Sequence, residues 1–189
     1  DEYKLYSDTY LLMSITHSRL GNFSEEFKFY AEKGLKYAQK SKSAINLLAL
    51  YSTITSMYIA NYEANHLQAD LDQIYEYSEL TLSRSLDNNQ NIPAKAIAIA
   101  YNNMASVLNS YPSKKISKED RNKLARQYIQ KAIEISTKIK NQSTLSTCYA
   151  TYAEIEESNG NLDVAEKYHL KAFELNKTLS FALHQKKEL

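Results

Sequence analysis

Two stretches of the chain carry nearly the same pattern. Residues 21–38 read GNFSEEFKFYAEKGLKYA, and residues 160–176 read GNLDVAEKYHLKAFELN. Each begins with Gly-Asn and an apolar residue, continues with acidic residues, and then carries aromatic residues and lysines at helical spacing. A pattern that recurs within one chain indicates structural repeats, each of which buries its apolar face against its neighbours.

The scarcity of turn residues indicates that the repeats are helical. The chain has 189 residues but only 3 glycines and 2 prolines. Average usage predicts about 13 glycines and about 9 prolines at this length. A fold with many hairpins would lack its turn residues, so we expect an all-α fold with few, short connections.

Charged residues are distributed unevenly, which predicts two kinds of helix. Four stretches contain no Asp, Glu, Lys or Arg: 9–18, 43–62, 96–113 and 141–153. By contrast, the stretch 24–42 holds eight charged residues and the stretch 118–140 holds ten. We expect charge-poor helices, named A, to lie between neighbours, and charge-rich helices, named B, to be amphipathic with one face in water.

The apolar spacing and the cap residues predict where these helices lie. Ser24 and Ser117, each followed by acidic residues, suit helix starts, and Pro93 suits a first turn. We expect a single solenoid over residues 1–189, excised from a longer protein because it begins at Asp1 without Met. The predicted A/B pairs are 3–20 with 24–41, 44–63 with 68–87, 93–110 with 118–140 and 143–159 with 162–177, followed by a ninth helix at 179–188.

Superposing the four pairs aligns residues of the same kind. The A helices share a tyrosine and, four residues later, a small residue: Tyr10, Tyr51, Tyr101 and Tyr149, then Ser14, Thr55, Ala105 and Ala153. The B helices share a small residue followed by a large apolar one: Gly34, Thr81, Ala132 and Ala172, then Leu35, Leu82, Ile133 and Phe173. Small residues at fixed positions allow helices to approach closely.

This register resembles the tetratricopeptide repeat, and the resemblance covers nearly the whole chain. It implies a right-handed α-α superhelix of about four helix pairs plus a C-terminal helix. The second pair lacks the turn glycine, the closing proline of the motif is missing, and the period exceeds the usual 34 residues. Long repeats of this kind are similar to the sensor regions of bacterial regulators, which implies a role in signalling or transcription regulation.

The resemblance implies a binding groove on the concave face of the A helices. The positions expected to point into it carry mostly uncharged polar side chains: Ser52, Thr53, Ser56, Asn102, Asn103, Ser106, Asn109, Thr151 and Glu154. Amides and hydroxyls can hydrogen-bond an extended peptide or a partner helix, or simply line a wet groove. The lysines and asparagines with which chaperone-binding relatives clamp a carboxylate are absent, so an ordinary peptide or protein segment is the expected partner.

Other functional classes find little support in the sequence. The formal net charge of +1 argues against nucleic-acid contact, and the polar residues within 43–62 argue against a membrane span. Cys148 is the only cysteine, the four histidines are scattered, and the three glycines form no phosphate-binding loop. We therefore expect no catalytic residue, no metal and no cofactor.

Two alternatives to peptide binding stay open. The apolar residues Leu179, Phe181, Ala182 and Leu183 of the last predicted helix would suit self-association as a homodimer. An enzyme with an unrecognised site is the weaker alternative. The sequence leaves the compartment open, with the cytoplasm as the default and the periplasm as the other candidate.

Overall fold

The computed structural model describes the backbone of residues 2–185 and the side chains of residues 2–180. The described residues form eight α-helices and no strand, which confirms the all-α prediction. The helices are α1 (Glu2–Arg19), α2 (Glu25–Lys40), α3 (Ala44–Asn65), α4 (Gln68–Ser85), α5 (Ala94–Ser110), α6 (Lys118–Lys138), α7 (Gln142–Ser158) and α8 (Leu162–Gln185).

The chain falls into two compact units, Asp1–Ile92 and Pro93–Leu189, and each contains two A/B pairs. In the first unit α1 packs against α2 and α3 against α4, while α3 also contacts both helices of the preceding pair. In the second unit α5, α6, α7 and α8 repeat the same contacts. Adjacent pairing of helices is therefore confirmed, whereas a single solenoid over the whole chain stays a prediction.

The prediction of a separate ninth helix is wrong over the described residues. Helix α8 runs without a break from Leu162 to Gln185, through the predicted boundary near residue 178. Thr178 lies within the helix and its hydroxyl donates to the carbonyl of Glu174 at 3.0 Å. No glycine or proline interrupts this stretch, so nothing in its sequence terminates the helix.

The recurring Gly-Asn is the turn between an A helix and its B helix. Gly21 and Gly160 adopt φ of +64° and +80°, the left-handed conformation that glycine tolerates best. The following amides, of Asn22 and Asn161, donate to carbonyls five residues back at 2.9 Å in both cases. This bond closes the end of the A helix and reverses the chain toward the B helix.

The same turn recurs between a B helix and the next A helix, but there a lysine occupies the left-handed position. Lys42 and Lys140 have φ of 54° and 53°. The amide of Asn141 donates to the carbonyl of Ser136 at 3.0 Å, which is again a bond to the fifth residue back. A side chain at this backbone conformation costs about 1–2 kcal/mol relative to glycine.

A tyrosine pair joins the A and B helices of every repeat. In each B helix the residue four positions before the aligned small residue is a tyrosine, and its ring lies beside the aligned tyrosine of the A helix. The ring centroids are 6.3 Å apart for Tyr10–Tyr30, 5.9 Å for Tyr51–Tyr77, 5.7 Å for Tyr101–Tyr128 and 5.4 Å for Tyr149–Tyr168. Such ring contacts contribute about 0.5–1.5 kcal/mol beyond the area they bury.

The aligned small residues lie at closely packed positions. Ala105, Ala132 and Ala153 are fully buried. A Cβ atom added to Gly34 of α2 would lie 2.9 Å from Leu50 Cδ2 of α3, closer than two carbon atoms pack. The small side chain at this position therefore sets how closely α3 approaches α2.

Helix α1 departs from the expectation that A helices lie between neighbours. Only Ser7 and Ser14 of α1 are buried, whereas nine residues of α3 are. Leu5 and Leu12 are 65% and 66% exposed. Helix α1 therefore presents apolar side chains on the surface of the first unit.

A buried ion pair fixes α6 to α7 in the second unit. Arg126 Nε and Nη2 each donate to a carboxylate oxygen of Glu156 at 2.8 Å. Glu156 is 4% exposed, and Asn161 Nδ2 also donates to it at 2.6 Å. Burial raises the pKa of Glu156, but the hydrogen bonds from Arg126 and Asn161 outweigh it and hold the pKa below its usual value.

The turn geometry predicts that Lys140→Gly stabilises the protein. Glycine removes the strain of the left-handed conformation, so the free energy of unfolding should rise by about 1 kcal/mol in urea titrations. Lys123→Gly is the matched control, because Lys123 lies inside α6, and it should cost about 1 kcal/mol. Equal destabilisation by both substitutions would contradict the assigned turn.

The ion pair predicts a large effect of Arg126→Ala, because that substitution leaves a buried carboxylate without its partner. We expect the free energy of unfolding to fall by about 3 kcal/mol. This value is at the low end of the range for broken buried ion pairs, because Arg126 is partly exposed. Arg84→Ala is the control and should change stability by less than about 0.5 kcal/mol. A cost for Arg126→Ala as small as the control's would contradict the assignment.

The lowered pKa of Glu156 also predicts how stability depends on pH. A carboxyl group with a lowered pKa in the folded state adds stability above its unfolded pKa of about 4.3, and this contribution is lost as pH falls through the folded value. Thermal unfolding between pH 6 and about pH 2 should show a shallower loss for Glu156→Gln than for the wild type. Identical pH profiles would rule out this contribution.

Candidate functional site

In the first unit, three of the predicted groove residues lie together. Ser52, Thr53 and Ser56 of α3 line a shallow hollow of about 140 Å³ with Ile15 and Ser18 of α1. The two helices that form it are both A helices, and α1 packs directly against α3. No charged side chain lines this hollow.

Two hydroxyl groups of this hollow already donate hydrogen bonds within α3. Thr53 Oγ1 donates to the carbonyl of Ala49 at 2.6 Å, and Ser56 Oγ donates to the carbonyl of Ser52 at 3.2 Å. Their protons are therefore used within α3, while their oxygen lone pairs stay available. Such a surface suits a ligand that supplies N–H donors.

The predicted residues of the second unit lie on α5 and α7. Asn103, Ser106 and Asn109 of α5 are half-buried, and Glu154 of α7 is exposed. Asn109 Nδ2 donates to Ser158 Oγ at 3.3 Å, which joins α5 to α7. This amide therefore contributes to helix packing as well as to the polar surface.

Asn102 of α5 is the most unusual of the predicted residues. Its side chain is 7% exposed, and its Oδ1 atom is buried without a hydrogen-bond partner in the described part of the chain. A buried polar atom without a partner costs about 1–3 kcal/mol, so most such atoms find one. No hydrogen bond from the described residues therefore offsets the free-energy cost of burying Asn102 Oδ1.

Thr53 and Thr151 offer a ligand less surface than the sequence predicts. Both are 7% exposed, and both stand two residues after the aligned tyrosine of their helix. In each unit the second A helix packs against the first, α3 against α1 and α7 against α5. This position therefore faces the seam between A helices rather than open solvent.

A second hollow in the first unit is basic. It measures about 230 Å³ and is lined by Gln39, Lys42, Ala44, Leu47, Tyr51, Arg84 and Gln90. No carboxylate lines it, and neither Lys42 nor Arg84 has an ion-pair partner among the described residues. Its chemistry suits an anionic group.

The sequence did not point to this basic hollow, because its residues come from α2, α3, α4 and the segment after α4. Lys42 and Arg84 are separated by about forty positions in the chain. The sequence around each one is typical of an ordinary surface residue. Only the packing of α3 against both α2 and α4 brings them to one hollow.

Cys148 of α7 is fully buried. Burial raises the pKa of its thiol, although a contact of 3.8 Å with Ser136 Oγ acts in the opposite direction. A thiol with a raised pKa is a poor nucleophile at neutral pH.

None of the described helices combines the length and the apolar character that crossing a membrane requires. No family model matches the chain, and no curated protein matches it in sequence.

Proposed function

We propose that the chain is a non-catalytic scaffold whose A-helix surface binds an extended peptide or protein segment. The hollow at Ser52, Thr53 and Ser56 supports this proposal most directly, because uncharged hydroxyl groups converge there on a surface between two helices. Binding at such a surface desolvates no charge and therefore costs little.

The direction of the hydrogen bonds defines the chemistry of the partner. Since the hydroxyl of the half-buried Ser56 donates within α3, its lone pairs accept from the partner, and the N–H groups of an extended backbone supply such donors at regular intervals. The exposed part of Ile15 gives room for one small apolar side chain beside them.

The resemblance to tetratricopeptide repeats supports a wider role for the scaffold. We place the chain in the sensor or interaction region of a bacterial regulatory protein, with a protein segment as partner and no direct contact with nucleic acid. Identification of the genes beside its own, together with localisation of a tagged full-length protein, would test this role.

Peptide binding is tested by selecting ligands from a displayed library of uncharged peptides and measuring their affinity by calorimetry. Ser56→Leu fills the hollow and removes an acceptor, so affinity should fall by about tenfold or more. Ser83→Leu, on the exposed surface of α4, is the matched control and should leave affinity unchanged. Equal affinities for wild type and Ser56→Leu would contradict the site.

The uncharged lining also predicts a weak dependence on salt. Affinity should change by less than about tenfold between low and physiological ionic strength, because no ion pair forms on binding. A larger fall, together with loss of binding in Arg84→Gln, would place the ligand in the basic hollow instead and overturn the proposal.

A further inference from the structure

One face of α8 is exposed although the same face is buried in two other B helices. Aligning the helices on Gly34, Ala132 and Ala172 gives three equivalent positions: Phe27, Ala31 and Leu35 in α2, Ala125, Ile129 and Ile133 in α6, and Ala165, His169 and Phe173 in α8. In α2 and α6 this face packs against the next A helix, α3 or α7. In α8, Phe173 is 60% exposed.

The exposed face of α8 forms a hollow of about 410 Å³. It is lined by Glu157, Leu162, Ala165, Glu166, His169, Leu170 and Phe173. A face that the repeat covers twice elsewhere in this molecule has the shape to receive another helix.

Leu170 makes this face more apolar than in the other three B helices. The equivalent residues there are exposed and polar: Glu32, Glu79 and Gln130. Leu170 itself is 56% exposed and lies beside Phe173 in the same hollow. An exposed leucine where the other repeats carry a water-facing polar residue indicates that this surface contacts an apolar partner.

The charges around Leu170 and Phe173 identify the partner. If two α8 helices cross antiparallel with the two-fold axis between positions 170 and 173, Leu170 of each copy meets Phe173 of the other. The same register sets Glu166 opposite Lys177 and His169 opposite Glu174, so a carboxylate meets an ammonium group or an imidazole at each of these positions. Glu166 and Lys177 have no ion-pair partner among the described residues of their own chain.

We infer that the α8 helices of two copies of this chain pack antiparallel through Leu170 and Phe173, flanked by Glu166–Lys177 pairs. A two-fold interface of this kind uses the same patch on both copies and closes on itself. It lies on the second unit, whereas the hollow of Ser52 and Ser56 belongs to the first, and it does not depend on the proposed peptide binding.

This interface differs from the one expected from the sequence. The sequence predicts self-association through Leu179, Phe181, Ala182 and Leu183. Leu179 is half-buried, and the side chains of Phe181, Ala182 and Leu183 lie outside the described residues. The inferred interface lies instead in the middle of α8. There, both the alignment of the repeats and the positions of the charged residues support contact with a second copy.

The dimer is tested by sedimentation velocity and light scattering of the 189-residue chain across the micromolar range. The wild type should shift from monomer to dimer with concentration, and Phe173→Glu should stay monomeric. Leu12→Glu is the matched control, because Leu12 is equally exposed but lies on α1, and it should dimerise like the wild type. Circular dichroism should show that all three proteins are equally helical.

Charge reversal tests the antiparallel register itself. Glu166→Lys and Lys177→Glu each create two repulsive pairs across the two-fold axis, so each should weaken dimerisation by about tenfold. The double variant restores both attractions and should dimerise like the wild type. A structural role of either residue within one copy would not produce this rescue.

Three results would overturn the inference. The first is a wild type that stays monomeric throughout the concentration range. The second is a dimer that Leu12→Glu dissociates and Phe173→Glu does not, which would place the contact on α1. The third is a double charge variant as weak as either single one.

Discussion

Close approach of paired helices is the constraint on which the rest of this structure depends. Gly34 shows how little room there is, because even a methyl group at that position would lie 2.9 Å from Leu50. The aligned tyrosines then fill the space beside the narrow contact, and each A helix presents one to a tyrosine of its B helix. One geometric rule thus explains why small residues and tyrosines recur at fixed positions while most other positions vary.

The same constraint explains the uneven distribution of charge. An A helix such as α3 contacts neighbours on several sides and has nine buried residues, so charged side chains would find no water there. The helix instead uses serine and threonine, whose hydroxyls bond the carbonyl four residues back, as Thr55 does with Tyr51 at 2.9 Å. Ser56 bonds the carbonyl of Ser52 in the same way, and it also lines the surface at which we propose that the partner binds. Packing and the proposed function therefore draw on the same kind of residue.

Much of the fold was predictable from the sequence, because helix ends depend on local chemistry. Ser24 and Ser117 directly precede α2 and α6, as predicted, and Gly21 and Gly160 end their helices in the left-handed conformation. The break predicted between residues 177 and 179 does not form, because neither glycine nor proline interrupts α8 there. The burial of Thr53 and Thr151 and the meeting of Lys42 with Arg84 depend on how neighbouring helices stack. No local pattern encodes that stacking.

The free energy of unfolding of overpacked variants tests the role of the small residues most directly. Ala132→Leu and Ala153→Leu enlarge fully buried positions of a B helix and an A helix, and Ala69→Leu enlarges an exposed position of α4 as the control. If close approach holds the pairs together, urea unfolding should show a loss of about 1–3 kcal/mol for each buried variant and almost none for the control. Buried variants as stable as Ala69→Leu would show that the small residues do not set the packing, and would contradict the account.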